Sequence, residues 1–239
     1  MSTLRDIQKR PASATPVSNP TTTQVAGHPE WLEFRPLTYR ELKRRFWHMA
    51  PGLLPFVLQW FPHRDPISPT LQWIIVGCCV VIGGRILLGF RQIQRQGEGA
   101  GVAAVAGYAL SVLLMALAYP GDLELSLAVL SILAFGDGSA TLCGLTFRGP
   151  RLPWNRAKSW SGLVAFVGIG CLMTAWIYRG ETHNPEALTA GVSFGVALSL
   201  TAPAVLAAAI AESIPSRIND NIRVGLVAAI SLILLHALR

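Results

Sequence analysis

The sequence predicts an all-α fold: a polytopic helical membrane protein of about seven transmembrane helices. Composition predicts it first. Of 239 residues, 51% are hydrophobic and only 14% charged, against about 25% charged in soluble domains, and the mean hydropathy is +0.44. Too little polar material is present to cover a water-facing surface, which excludes a disordered chain and argues against a soluble α/β enzyme. The second observation is that the apolar residues come in long blocks, not at amphipathic spacing. The four cysteines (Cys78, Cys79, Cys143 and Cys171) lie in such blocks and form no C-x-x-C pair, so they read as small buried hydrophobes with no zinc or redox message. A net charge of +7 fits basic loops on one membrane side better than a nucleic-acid partner.

Residues 1–45 read as a disordered basic tail. Its stretch PASATPVSNPTTTQ is rich in Pro, Ser and Thr without an apolar period, and it has no apolar h-region of a secretory signal. Residues 46–239 read as the transmembrane catalytic domain. Seven apolar blocks follow one another, near 47–62, 70–90, 100–119, 123–147, 160–178, 188–211 and 222–238, each judged against the about 20 residues a bilayer requires. The first is short and holds Pro51 and Pro55, as a re-entrant or tilted segment would. Gly136-Asp137-Gly138 interrupts the fourth, and Pro203 predicts a kink in the sixth. With seven crossings, sixteen of the twenty Lys and Arg residues fall on the side of the tail and only Arg64, Arg179 and Arg239 on the other, with Arg85 inside the second block. Basic loops stay cytoplasmic, so the N-terminus is expected in the cytoplasm. A bacterial inner membrane is the expected location, or a plastid membrane for a plant protein.

Ionisable residues inside a bilayer carry the functional signal, because each costs about 2.5–3.5 kcal/mol to insert. Asp137 stands fourteen residues into the fourth block, between two glycines. Its structural alternative is a packing residue bonded to Thr141, on a stripe of Gly136, Ala140 and Gly144. At the same membrane face the topology gathers Glu212, Asp220, Asn221, His48, Lys158 and Ser159. Singly, His48 reads as an interfacial histidine, Asp220 and Asn221 as helix N-caps, and Glu212 as a solvated helix end. Together they supply the parts of a phosphoryl-transfer site: Asp137, Glu212 and Asp220 as oxygen donors for Mg²⁺ or Mn²⁺, and Lys158 as a point charge on phosphate. The loop 148–159 adds Arg148, Arg151 and Arg156 before Lys158-Ser159 opens the fifth block, where a helix N-terminus favours anions. Gly97 and Gly99 follow no strand, and so make no dinucleotide fingerprint.

These residues resemble the membrane family of CTP-dependent prenol kinases, which act on phytol, farnesol and dolichol. Gly136-Asp137-Gly138-Ser139-Ala140 resembles the family's G-D-x-x-A, with Gly144 as the glycine four residues on. Leu152-Pro153-Trp154-Asn155 followed by Lys158-Ser159-Trp160-Ser161-Gly162 is similar to L-P-[YW]-N…K-S-x-x-G. Glu212-Ser213-Ile214-Pro215 with Asn219-Asp220-Asn221 resembles E-S-[LI]-P…D-D-N, and Arg44-Arg45-Phe46-Trp47-His48 resembles R-K-x-x-H. Leu163, Asn219 and Gly225 depart from the pattern; Ser161 tilts the likeness toward the phytol and farnesol branch. The resemblance implies CTP as phosphoryl donor, a divalent metal, and an isoprenoid alcohol acceptor. Asp137, Lys158 and Glu212 would be catalytic; Lys158, Ser159, Arg156, Arg151 and Asn221 would bind the nucleotide and its phosphates. A phosphatidate cytidylyltransferase-like enzyme and a non-enzymatic transporter are the alternatives. The first lacks a match to its C-terminal signature, the second an internal repeat.

Overall fold

The computed structural model describes residues 36–93, 101–147 and 149–238. The proposed disordered tail lies almost wholly outside the described residues, as do Gly97 and Gly99. Among the described residues the chain is helical, with no strand but one isolated bridge between Arg151 and Ser159.

Helix α1, Tyr39–Met49, begins where Thr38 Oγ1 accepts the Glu41 N–H at 3.4 Å. It crosses the expected boundary between tail and domain at residue 45. Its Arg45 side chain is buried and paired with Glu41 at 3.1 Å, one turn back. Pro51 and Pro55 then cut the first apolar block into a 3₁₀ turn, Ala50–Leu53, and a short helix α2, Leu54–Leu58, since each proline lacks an N–H for a continuous helix. Helices α3 (Pro69–Ile93) and α4 (Gly101–Ala118) follow. The fourth block is one continuous element: α5 (Leu123–Ser131), a π-helical segment Ile132–Asp137, and α6 (Gly138–Thr146). The expected interruption at Gly136-Asp137-Gly138 is therefore a change of helical pitch rather than a break. Helices α7 (Trp160–Thr182), α8 (Phe194–Ser213) and α9 (Asp220–Ala237) complete the bundle, and α8 runs unbroken through Pro203.

Among the described residues four of these elements, Leu123–Thr146, α7, α8 and α9, are long and apolar enough to cross a membrane. Among the described residues α3 and α4 also carry apolar stretches, Pro69–Arg85 and Val105–Ala118. Four long spans of the expected seven are thus found among the described residues. The first block fails for the stated reason, its two prolines.

The element α5–α6 is the axis of the bundle. It is buried along nearly its whole length and packs against α4, α7 and α9. Helices α8 and α9 turn mostly small residues inward and large ones outward, whereas α7 buries Phe166, Ile177 and Tyr178. On α9 the buried row is Val224, Gly225, Ala228 and Ala229, while Ile222, Leu226, Ile230 and Leu234 form an exposed i, i+4 stripe. On α8, Ala197, Thr201, Ala204, Ala208 and Ala209 are buried, while Leu206 and Ile210 are exposed. Small inward residues let helix backbones approach closely where dispersion and hydrogen bonds, not water exclusion, hold helices together. The cysteines depart from the reading of four buried hydrophobes: Cys78 is exposed and the other three are half-buried.

Candidate active site

Glycines set the position of Asp137. A Cβ on Gly136 would lie 2.8 Å from the Phe166 ring of α7, and one on Gly138 would lie 2.5 Å from Met49 Cγ of α1. The two glycines flanking Asp137 therefore serve close approach, admitting α7 on one side and the end of α1 on the other. That approach brings His48 to Asp137. His48 Nε2 lies 3.1 Å from Asp137 Oδ2 and 3.1 Å from the Leu133 carbonyl. Both partners are acceptors, so Nε2 carries the proton and donates to them. The π-helical segment supplies the second acceptor. Tyr108 of α4 stacks edge-on against the His48 ring at 5.3 Å, and its hydroxyl has no hydrogen-bond partner among the described residues. Asp137 itself is 8% exposed. Thr141 Oγ1 does bond to residue 137, but to its backbone carbonyl, at 3.1 Å; the packing role envisaged for the carboxylate is taken by the backbone.

Lys158 is held by a knotted loop. Leu152 N–H donates to the Lys158 carbonyl at 3.0 Å, Lys158 N–H to Asn155 at 3.0 Å, and Trp160 N–H to Pro150 at 2.9 Å. The loop is tied to the end of α8 by Asn155 Nδ2, donating to the Ser213 carbonyl at 3.0 Å, and by Trp154 Nε1, donating to Ser213 Oγ at 3.2 Å. Leu152 is buried beneath it. So placed, Lys158 Nζ donates to Glu212 Oε1 and, at 3.1 Å, to Asp220 Oδ2. Arg223 Nη2 donates to the other Asp220 oxygen at 2.8 Å. Burial pulls the Lys158 ammonium down, but Glu212 and Asp220 outweigh it and hold it above the usual lysine range. Lys158 is therefore a fixed cation at neutral pH, not a proton acceptor.

Three expected roles change. The cap of α9 is Asn219, whose Oδ1 accepts the Asn221 N–H at 3.0 Å. Asp220 is the first helical residue, which frees its carboxylate for Lys158. At the start of α7, Ser159 is the cap: its Oγ accepts the Gly162 N–H at 3.2 Å, and the Trp160 N–H is taken by Pro150, so two of the expected anion-binding N–H groups are already used. Asp137, Glu212 and Asp220 do not form a group whose ligand oxygens all lie within 4.8 Å of one another among the described residues. Lys158 stands between the last two instead, although Asp137 is near enough to act electrostatically on both Lys158 and Glu212.

One cavity of about 1210 Å³ joins these groups. His48, Asp137, Arg151, Lys158, Ser159, Glu212, Asp220 and Asn221 all line it. Arg156 does not: it is exposed on the loop's outer side. Tyr108, Arg44 and Arg45 line the cavity too and were not singled out as site residues from sequence. An aromatic hydroxyl inside an apolar block was the available signal for Tyr108. Aliphatic side chains line the same cavity, among them Leu54, Val57, Val81, Val105 and Val112.

The chain is similar to named plant kinases. It is 25% identical over 219 residues to phytol kinase 1, chloroplastic, of Arabidopsis thaliana, covering 82% of this chain and 68% of that protein. It is 25% identical over 222 residues to a probable phytol kinase, chloroplastic, of Zea mays, covering 86% and 70%. It is 29% identical over 127 residues to farnesol kinase, chloroplastic, of Arabidopsis thaliana, covering 52% and 40%. No family model matches the chain, and no solved structure does. The resemblance carried by the motifs is borne out, with phytol and farnesol kinases as homologues. Their names point to chloroplasts, and none supports the bacterial membrane expected from the sequence.

Proposed function

We propose that this chain, a homologue of the phytol and farnesol kinases, transfers the γ-phosphoryl group of CTP to an isoprenoid alcohol at one face of a membrane. The observation that carries the proposal is one cavity with two unlike sets of lining residues. One set is His48, Asp137, Lys158, Glu212 and Asp220; the other is aliphatic side chains of α2, α3 and α4. Its volume of about 1210 Å³ is large against the about 300–1,000 Å³ of common ligand sites, which suits two substrates held at once. The aliphatic lining suits a prenyl chain. The polar lining suits its hydroxyl and the donor phosphates.

In this reading the acceptor oxygen bonds to the γ-phosphorus, the bond to the β–γ bridging oxygen breaks, and CDP leaves. Phosphoryl transfer depends on positioning and charge stabilisation. Lys158 supplies the fixed positive charge. Arg44, Arg45 and Arg151 line the same cavity and add to it. Asp137 receives the alcohol proton directly or holds the hydroxyl toward phosphate, with His48 fixing its carboxylate through Nε2–H. The donor set fits Mg²⁺ or Mn²⁺: carboxylates of Asp137, Glu212 and Asp220 line one cavity without closing a cage, and Mg²⁺ usually takes one or two carboxylates plus substrate phosphates. Such an ion, when bound, neutralises phosphate charge.

The membrane setting rests on the outward stripes of Ile and Leu on α8 and α9. We place all seven apolar blocks in or against the bilayer, with the Lys158 loop cytoplasmic and the first block leading from that side, where His48 meets Asp137, to the opposite one, where His63 meets Glu181. The deciding assay incubates purified chain in lipid with CTP labelled at the γ-phosphate, phytol or farnesol, and Mg²⁺. Label in the lipid, with one CDP per lipid phosphate and loss of turnover in excess chelator, is expected. Release of pyrophosphate would instead assign a cytidylyltransferase, and absence of any nucleotide turnover would favour a transporter.

A further inference from the structure

A second constellation lies at the far end of α7, about 30 Å from the Lys158 loop at 1.5 Å per residue, and is independent of the kinase reading. His63 and Asp65, on the connection between α2 and α3, meet Glu181 in the last turn of α7. One ligand atom from each lies within 4.8 Å of the others. His63 Nε2 is 2.7 Å from Glu181 Oε1, while Nδ1 lies 3.1 Å from the Phe61 carbonyl. The carbonyl is only an acceptor, so Nδ1 carries a proton; Nε2 faces a carboxylate oxygen, so either a second proton or a metal cation stands between them. The His63 backbone is itself fixed, with its carbonyl accepting Asn184 Nδ2 at 2.6 Å and its N–H donating to Asn184 Oδ1 at 3.4 Å.

A proton on Nε2 satisfies one oxygen only. Glu181 is 1% exposed, and its Oε2 has no partner among the described residues. Neither oxygen of Asp65 makes a well-formed hydrogen bond among the described residues, although the Leu188 backbone N–H acts on the carboxylate. The unpaired oxygen of the fully buried Glu181 carries a desolvation penalty that no contact returns. A divalent ion taking His63, Asp65 and Glu181 would satisfy these atoms together and balance two carboxylates with a neutral imidazole. One nitrogen with two carboxylates suits Zn²⁺ and its neighbours in the first transition row, not Mg²⁺ or Ca²⁺, which prefer oxygen alone. Asn184 already fixes the His63 backbone, and the Phe61 carbonyl fixes its ring, as outer partners do for metal-bound imidazoles.

The geometry points to a transition-metal site formed by His63, Asp65 and Glu181, which fastens the α2–α3 connection to the end of α7. A neighbouring group, Asp122, Glu124 and His236, also brings its ligand atoms within 4.8 Å. It leaves a single oxygen, Glu124 Oε1, without a partner among the described residues, and its His236 is engaged by Tyr178 and Asp122; it is the weaker of the two.

The test titrates Co²⁺ into metal-stripped, untagged full-length protein in detergent, without nucleotide, and reads visible d–d absorption and bound metal per chain. One equivalent is expected in wild type and in Asp137→Asn. Affinity should fall at least tenfold in His63→Ala and in Asp65→Asn, and stay unchanged in His236→Ala. X-ray absorption at the zinc edge of wild type, which needs no variant to fold, should show one imidazole among oxygen ligands. No bound equivalent, binding lost in Asp137→Asn or His236→Ala but kept in His63→Ala, or a zinc shell without imidazole would overturn the proposal.

Discussion

Asp137 concentrates the chemistry at the scale of single residues. An Asp in an apolar helix costs about 2.5–3.5 kcal/mol on insertion, and Asn would be cheaper in the same shape. Its carboxylate is bonded by His48 at 3.1 Å and faces the cavity, while Thr141 uses only the backbone of that residue. Asp137→Asn is therefore expected to accumulate and resist detergent at least as well as wild type and to lose about 10²-fold or more of phosphoryl transfer, read as lipid phosphate formed at saturating substrates. Full activity would reduce Asp137 to a packing residue. Lys158 gives a second test. It is held charged between Glu212 and Asp220, so Lys158→Ala should raise KM for CTP and lower kcat, and Lys158→Arg should recover only part, a planar guanidinium being a poor substitute for a compact ammonium. Unchanged kinetics in the Ala variant would move the phosphates elsewhere. Which residues would gather here was legible in the sequence, because loops on one membrane face are brought together by topology. The His48–Asp137 pair was not: the two are 89 positions apart by number, and only the close approach allowed by Gly138 joins them.

At the scale of elements, the stretch Leu152–Ser159 changes meaning between sequence and structure. Its cations suggested a phosphate-binding loop, but its uncharged residues do most of the positioning. Asn155 and Trp154 bind Ser213 at the end of α8, so the loop and Glu212 move as one piece and Lys158 cannot leave its partners. Removing the Asn155 amide leaves the Ser213 carbonyl without its donor, a loss of about 1–3 kcal/mol for a buried group. Asn155→Ala is expected to lower thermal stability by that order and to raise KM for the nucleotide while leaving KM for the alcohol near wild type, measured with each substrate varied in turn. An equal rise in both would show general unfolding instead of a displaced Lys158. Helix limits were legible within a few residues from apolar length for α3, α4, α7 and α9 and for the whole Leu123–Thr146 element, whereas α8 starts six residues into its block. The first block was not, because periodicity and length are silent on how prolines at 51 and 55 would divide it. The π-helical turn before Asp137 was illegible for a similar reason: its residues contact Phe166 and His48 from distant parts of the chain, which no local pattern encodes.

The whole molecule sorts its charges by end. The Lys158 loop, Arg223 and the basic face of α1 lie at the end of the bundle that carries the N-terminus of α7, and Arg179, Glu181 and the His63 connection lie at the other. With the seven crossings proposed above, sixteen Lys and Arg residues against three give the expected direction in the bilayer, since cations near the ends of spans stay on the cytoplasmic side. The aliphatic stripes on α8 and α9 face outward along this axis, as a bilayer-spanning bundle requires, but they are indifferent to its direction. Replacing Cys78, Cys79, Cys143 and Cys171 by Ala or Ser and introducing single cysteines as Lys158→Cys and Arg179→Cys turns the direction into a measurement. A membrane-impermeant maleimide applied to intact cells is expected to modify position 179 and to reach position 158 only after the membrane is opened. A substrate made inside the cell would then meet Asp137 from the side where nucleotides are abundant. Labelling of position 158 from outside would reverse the orientation and deny the site its nucleotide, even if every side chain in the cavity were placed as described.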